Sequence, residues 1–299
     1  MRPTIGFALL THQNSDQTVA LIRVLNDMFG SPPIALHNDF IKCPIDTTLL
    51  PPNVRIVRPF CLTSWGRLSL VDAAIRTIRE LYKEPGSPDW FYLLSNACLP
   101  IKSSERILAD LQRSTADVHI AHERIAYNSY QRDWQETCFN RYVAYTPKMA
   151  KRIPSKTARK WLTLKRPMFT NLFTPFSPSF SCFAGEFWIT ANRKAATYLL
   201  NFHDTRPELW THLVSQERFR LVIPDECYFQ SVFCNSAELT ISADNFRFID
   251  WISGPYYPKL LTMDDFERLE ESPSHFARKF DARIDGEVVE RVKASLVFG

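Results

Sequence analysis

Two adjacent carboxylates follow a proline in Ile223-Pro224-Asp225-Glu226, and such a pair can hold or accept protons. Spacing alone argues first for a helix start, because proline suits the first helical position and acids its first turn. His119-x-x-His122-Glu123 has the composition of a metal site. On a strand, residues three apart face opposite sides, so the two imidazoles would not share an ion. His203, His212 and His275 read as structural or exposed, and no Ser-His-Asp or Cys-His pattern stands out. With only 8 glycines the chain has no glycine-rich phosphate loop, and neither a dinucleotide fingerprint nor a Walker lysine is present. Seven cysteines without a C-x-x-C pair give no zinc pattern and read as reduced thiols of a cytosolic protein.

The elements that must position these residues alternate between strand and helix. Thr4 to Leu10 is a short apolar strand, followed by Asn14-Ser15-Asp16 as capping chemistry. Leu21, Leu25 and Met28 then recur at helical spacing up to Gly30. PPIALHND and Val54 to Val57 read as strands, Leu68 to Tyr82 as a helix, and Trp90 to Ser95 as a buried strand. A helix starts at Ser103 or Ser104, and Asp117 to Glu123 alternates as one strand. This order predicts a mostly parallel sheet with helices on its faces. Ligands gather at the carboxyl ends of such strands, which places His12, His37-Asn38-Asp39, Ser95-Asn96 and His122-Glu123 at a site. Later come a strand through FWIT, a helix from Arg193 to Phe202, a helix opened by Pro224, the strand Phe246 to Trp251, and a cap at Thr262 to Asp265.

Between these halves, Tyr127 to Phe183 reads as long loops over a short helix. From Thr137 to Gly185 there is no acid but nine cations: Arg141, Lys148, Lys151, Arg152, Lys156, Arg159, Lys160, Lys165 and Arg166. The whole chain of 299 residues carries only +4, so the remainder stands at −5. A solvated loop is one reading; an anionic membrane surface or a phosphate-bearing acceptor is the other. The modest net charge argues against a nucleic-acid binder. A 45% hydrophobic and 23% charged composition suits a globular chain and excludes a disordered one. No apolar run reaches the ~18 residues of a membrane span, and the expectation is a soluble, intracellular protein.

Eight short motifs occur in one order. They are LLTHQN (Leu9 to Asn14), His37-Asn38-Asp39, Ser64-Trp65-Gly66-Arg67, and FYLLSNACLPIKS (Phe91 to Ser103). Gly185-x-x-Trp188-x-x-x-x-Arg193, Ile223-Pro224-Asp225-Glu226, Arg247 in FRFIDW and Lys279 in FARKFD complete the series. From about His12 to Asp281 the series resembles the core-2/I-branching β-1,6-N-acetylglucosaminyltransferases, a group that includes the peptide O-xylosyltransferases. The resemblance implies one catalytic domain over residues 1–299 with a GT-A-like α/β fold and a mostly parallel, Rossmann-like sheet. Within it, 1–122 would bind the nucleotide sugar, 123–185 would form a basic acceptor side, and 186–299 would hold the catalytic and diphosphate groups.

The resemblance further implies an inverting, metal-independent transfer from a UDP-sugar, UDP-GlcNAc first, with no cofactor. Glu226 would be the base, kept ionised by the positive end of a helix. Arg247 and Lys279 would bind the donor diphosphate in place of a metal, since Ser95-Asn96-Ala97-Cys98 offers no acid to hold one. His12, Asn14, Asp39, Ser64, Trp65, Arg67 and Ser95 would line the nucleotide site; Glu123, Arg132, Trp134 and Trp188 would contact the acceptor. Family members often have Asp where Cys98 stands, and eukaryotic ones carry an anchor and disulfides. A bacterial-type enzyme at the cytoplasmic side of a membrane is therefore expected, acting on a lipid-linked or surface-polysaccharide glycan, with peripheral membrane association through Arg141 to Arg166. Two alternatives remain: the same fold with UDP-xylose, UDP-galactose or a CMP-sugar, or a non-catalytic binder of anionic glycans or lipids.

Overall fold

The computed structural model describes residues 2–147, 149–218, 221–254 and 258–298. In its first half β1 (Ile5–Thr11), α1 (Ser15–Phe29), β2 (Ile34–Asn38), β3 (Val54–Ile56), α2 (Leu68–Leu81) and β4 (Trp90–Ser95) follow in order. Then come β5 (Cys98–Pro100), α3 (Ser104–Arg113), β6 (Val118–Ile120) and β7 (Glu123–Ile125). Short helices α4 (Asp133–Cys138), α5 (Lys156–Trp161) and α6 (Pro167–Phe173) occupy the middle, with a π-helix over Phe139–Val143. The chain continues through β8 (Cys182–Ala184), β9 (Ile189–Asn192), α7 (Arg193–Thr205), α8 (Glu208–Glu217), α9 (Tyr228–Cys234) and β10 (Ile241–Ser242). It ends with β11 (Arg247–Ile249), α10 (Phe266–Glu271), β12 (Phe276–Arg278) and α11 (Gly286–Phe298).

Seven strands form the main sheet in the order β10-β6-β9-β4-β1-β2-β3. Strand β9 is antiparallel to both neighbours and every other pair is parallel. This mostly parallel α/β layout, flanked by helices, agrees with the GT-A-like class expected. Both faces are covered, so the central strands are apolar throughout and still divide by alternation. Ala8, Leu10, Phe91 and Leu93 face the core shared with α2, α7 and α9. Phe7, Leu9, Tyr92 and Leu94 face the one shared with α1, α3 and α11. Leu25 and Ile78 are fully buried in these layers, where cutting either to Ala would cost about 2–5 kcal/mol. A second sheet, β11-β12-β5, brings the chain around Lys279 to the end of β4, because Arg278 pairs with Cys98.

Helix starts follow capping chemistry. Asn14 caps α1 from the left-handed region (φ 53°), its side chain accepting from the Gln17 amide, and Gly30 (φ 65°) ends the helix. Ser103 caps α3, and Thr262 with Asp265 forms a capping box.

Three expectations differ from the structure. Asp117 to Glu123 is not one strand: β6 ends at Ile120, and Glu123 starts β7, which pairs with β8. At the break the backbone of Ala121 passes so close to Gly185 that a Cβ there would lie 1.9 Å from the Ala121 carbonyl oxygen. The middle segment is more helical than expected; its helices are too short to show a 3.6-residue stripe. Pro224 opens a 3-10 turn over Pro224–Glu226, and α9 begins only after Cys227.

Candidate active site

The Pro-Asp-Glu turn is held from three sides. Ile223 before it is in the left-handed region (φ 50°, ψ 62°), a conformation that costs a β-branched residue on the order of 1–3 kcal/mol. Its amide donates to the Gly66 carbonyl (3.1 Å), and its own carbonyl accepts from the Tyr142 hydroxyl (2.9 Å). Gly185 donates its amide to the Glu226 carbonyl (2.9 Å). The strain is therefore fixed by contacts from β8, the π-helix and the Trp65 loop together.

The Glu226 side chain is about a quarter exposed and its Oε2 lies 3.3 Å from the Arg141 guanidinium. Burial pushes its carboxyl up, Arg141 opposes that rise, and Glu186 adds to it. Glu226 stands in the turn just before α9, and Arg141 is the largest influence favouring its charged form. Asp225 is buried, its Oδ1 has no hydrogen-bond partner, and burial, then the Glu226 charge, pushes it up to about 7. Of two neighbouring carboxyls, Asp225 is thus the one that keeps its proton toward neutral pH.

A second group of charges stands at the carboxyl ends of β1, β2 and β12. Gln17 anchors this end by donating to the carbonyls of Asn96 (2.7 Å) and Phe280 (3.0 Å). The Lys279 ammonium has no ion-pair or hydrogen-bond partner among the described residues, and burial and Arg278 lower its pKa. Burial, followed by Lys42 and Lys279, lowers His12, against the pull of Asp39. Arg278 lies over the Trp188 ring (4.2 Å), beside Cys98. Glu186 accepts from the Asn245 amide (2.6 Å) and from the Trp251 indole. Cations and an ionisable base, with Glu186 acting on both Glu226 and Arg278, suit a substrate that leaves with negative charge while a hydroxyl loses a proton.

Residues 46–270 match the model of the Core-2/I-branching enzyme family, three quarters of the chain. The chain belongs to that family. The Arabidopsis thaliana β-glucuronosyltransferase GlcAT14B is 26% identical over 249 residues, covering 82% of this chain and 52% of the relative. Human xylosyltransferase 1 is 24% identical over 260 residues, covering 79% and 24%. The chain thus spans about half the length of the plant relative and about a quarter of the human one. Two solved structures overlay loosely. A glycosyltransferase involved in glycosylation of the major capsid of PBCV-1 gives a TM-score of 0.38 at 9% identity, over 99% of this chain and all of the other. Mouse xyloside xylosyltransferase 1 gives 0.37 at 11%, over 92% and 97%. Values this low carry no argument.

In this Core-2/I-branching chain the expected site residues separate into three groups. His12, Asp39, Ser95 and Lys279 gather at one end of the sheet. Asp39 is fully buried; despite that burial, N–H donors from Thr63 (2.9 Å) and Lys42 (3.2 Å) hold its carboxyl below the usual range. Ser95 Oγ contacts the Cys98 thiol (3.6 Å). Asn14 is occupied as a helix cap. Trp65 is 71% exposed beside the Gly66 contact to Ile223, and Ser64 donates its amide to Ser69. Arg67 donates to the Glu217 carbonyl (2.9 Å), which makes it a tether to α8. Glu123, Arg132 and Trp134 cluster among themselves: Glu123 pairs with Arg132 and Gln135, and Arg132 lies over the Trp134 ring. Trp188 belongs with Arg278.

Arg247 is the correction. The residue is 7% exposed, and its guanidinium donates to Thr190 Oγ1 (3.1 Å) and the carbonyls of Asn245 (2.9 Å), Leu93 (3.3 Å), Ile189 (3.3 Å) and Phe246 (3.5 Å). It lies over the rings of Tyr92 and Phe276, and burial lowers its pKa to about 10. Its forks join β4, β9 and β11 and are not open to a diphosphate; Arg278, next to Lys279, is itself largely desolvated, lying over the Trp188 ring with its Nε buried and unpartnered. The sequence reading missed Arg141, Glu186 and Arg278. Arg141 was visible only as one of nine cations, and Lys148 of that group lies outside the described residues. No helix among the described residues is long and apolar enough to cross a membrane.

Proposed function

We propose that this chain is an inverting glycosyltransferase that moves a sugar from a UDP-sugar to a hydroxyl of a glycan acceptor. The observation that carries the reading is the Glu226–Arg141 pair at 3.3 Å, with Glu186 acting electrostatically on both Glu226 and Arg278. Glu226 takes the acceptor proton as the hydroxyl oxygen attacks the anomeric carbon, and the bond to the diphosphate breaks with its electron pair leaving on UDP. Lys279 and Arg278 stabilise that charge, each by about 3 kcal/mol of barrier. The side chains of Ser95-Asn96-Ala97-Cys98 contain no carboxylate, which supports a transfer needing no metal.

UDP-GlcNAc is the first donor of this reading. The names of the relatives favour a second, a glucuronosyl or xylosyl donor. The acceptor is a glycan or lipid-linked glycan of bacterial surface polysaccharide or lipopolysaccharide synthesis, met at the cytoplasmic face of the membrane. A donor panel assayed with and without EDTA tests these assignments. One UDP-sugar is expected to turn over regardless of chelator, and Glu226→Gln to bind UDP while losing turnover about a thousandfold. A strict metal requirement, or full activity in the variant, contradicts the reading.

A further inference from the structure

The acid-free middle segment carries an exposed apolar surface as well as charge. Trp161 at the end of α5 is 85% exposed. In α6 Met168 and Leu172 stand one turn apart and point to solvent (67% and 74%), with Phe169 and Phe173 beside them half-exposed. The α5–α6 segment does not float: Leu164 exchanges backbone hydrogen bonds with Tyr145 (2.8 and 3.0 Å), and Lys165 pairs with Glu136 at 3.7 Å. Arg152 and Arg166 are exposed and make no ion pair with any described residue. Isolated exposed apolar residues are ordinary, but six within thirteen positions, Leu162 included, interleaved with cations and no acid, need a partner.

We propose that the α5–α6 segment docks on an anionic phospholipid surface, with Trp161, Met168 and Leu172 entering the headgroup boundary and Arg152 and Arg166 meeting lipid phosphates. This deepens the membrane association named above and rests on that reading only for what the docked enzyme does. Charge selects the occupant. A second copy would bring Arg152 and Arg166 against themselves across a two-fold axis, which like charges oppose. An acidic glycan would meet the cations yet leave Met168 and Leu172 in water, whereas a lipid interface takes both. Tyr145, which pairs with Leu164, follows the π-helix that carries Arg141, so the docked face and the Glu226 site are linked by a few residues of backbone.

The test is flotation of the full chain with vesicles of phosphatidylcholine alone or mixed with phosphatidylserine. Binding is expected only to the mixed vesicles, falling as salt is raised. Trp161→Ser combined with Leu172→Ser, and separately Arg152→Glu combined with Arg166→Glu, should each weaken it about tenfold at an unchanged melting temperature. Equal binding to both vesicles, no binding, or retention by the two variants overturns the proposal. So does a dimer in sedimentation that Trp161→Ser with Leu172→Ser converts to monomer while vesicles are ignored. Glu226→Gln separates the two readings, because it should lose turnover and still float with the mixed vesicles.

Discussion

Arg247 and Lys279 invite the same task from the sequence, and the fold gives them opposite surroundings. Arg247 is enclosed between Tyr92 and Phe276 and spends its two terminal nitrogens on Thr190 and four backbone carbonyls, with Nε buried and unpartnered. Lys279 stands a short way along the same small sheet with no partner among the described residues. Asp225 and Glu226 repeat the contrast with acids, one buried without a partner for Oδ1 and the other partly exposed against Arg141. A charge can serve a substrate only while part of it stays open to that substrate. A motif records that the charge exists; packing decides whether it is already used.

The contrast breaks if Arg247 proves catalytic. Arg247→Met keeps much of the apolar stem and strips the guanidinium from buried carbonyls, each of which then costs about 1–3 kcal/mol. A loss near 4 kcal/mol is expected in urea unfolding, with near-normal turnover per folded molecule. Lys279→Ala should do the reverse. Losing a charge contact made as the diphosphate departs lowers kcat about a hundredfold, near 3 kcal/mol of barrier, at an unchanged melting temperature. If the two variants exchange these signatures, Arg247 returns to the site and Lys279 leaves it.

Local chemistry explains which features were legible beforehand. The strand Trp90 to Ser95, the Asn14 cap, the Gly30 stop and the helix from Leu68 are written in neighbouring residues, and they stand where expected. Gly185 was legible as a motif position, but its reason, the Ala121 carbonyl passing at Cβ distance, joins residues 64 apart. The enclosure of Arg247 depends on Leu93, Ile189 and Tyr92 from other strands, so no window of sequence contains it. Arg141 is set by a π-helix, whose extra residue per turn turns one cation toward Glu226 and which has no periodic signature in five residues.

The acid pair offers a smaller test through pH. An unfolded Asp225 titrates near 3.8 and the folded one at about 7, so the folded state binds the extra proton between those values. Stability is therefore lost as pH rises through that window and is level above it. Asp225→Asn never ionises and should be the more stable protein at pH 8, by about 2 kcal/mol once water entry relaxes the full penalty, and close to wild type at pH 4. Thermal unfolding at the two pH values checks this. A wild type that gains stability from pH 4 to pH 8 relative to the variant contradicts the buried, protonated carboxyl.

Arg141 gives the smallest shift and the sharpest discrimination. Burial raises Glu226, and the neighbouring guanidinium is the largest influence against that rise. Arg141→Gln removes the opposing charge, so Glu226 holds its proton to higher pH and fewer molecules carry the free base. The acid limb of the kcat profile should move to higher pH, with most of the rate recovered on the alkaline plateau. Arg141→Lys, which keeps a positive charge, should restore most of the limb. If Arg141 merely braced the π-helix, its loss would lower the rate by one factor at every pH and the lysine would not help. A rate loss independent of pH would therefore remove Arg141 from the tuning of Glu226, whereas a moved limb would separate its electrostatic role from the bracing that Tyr142 provides at Ile223.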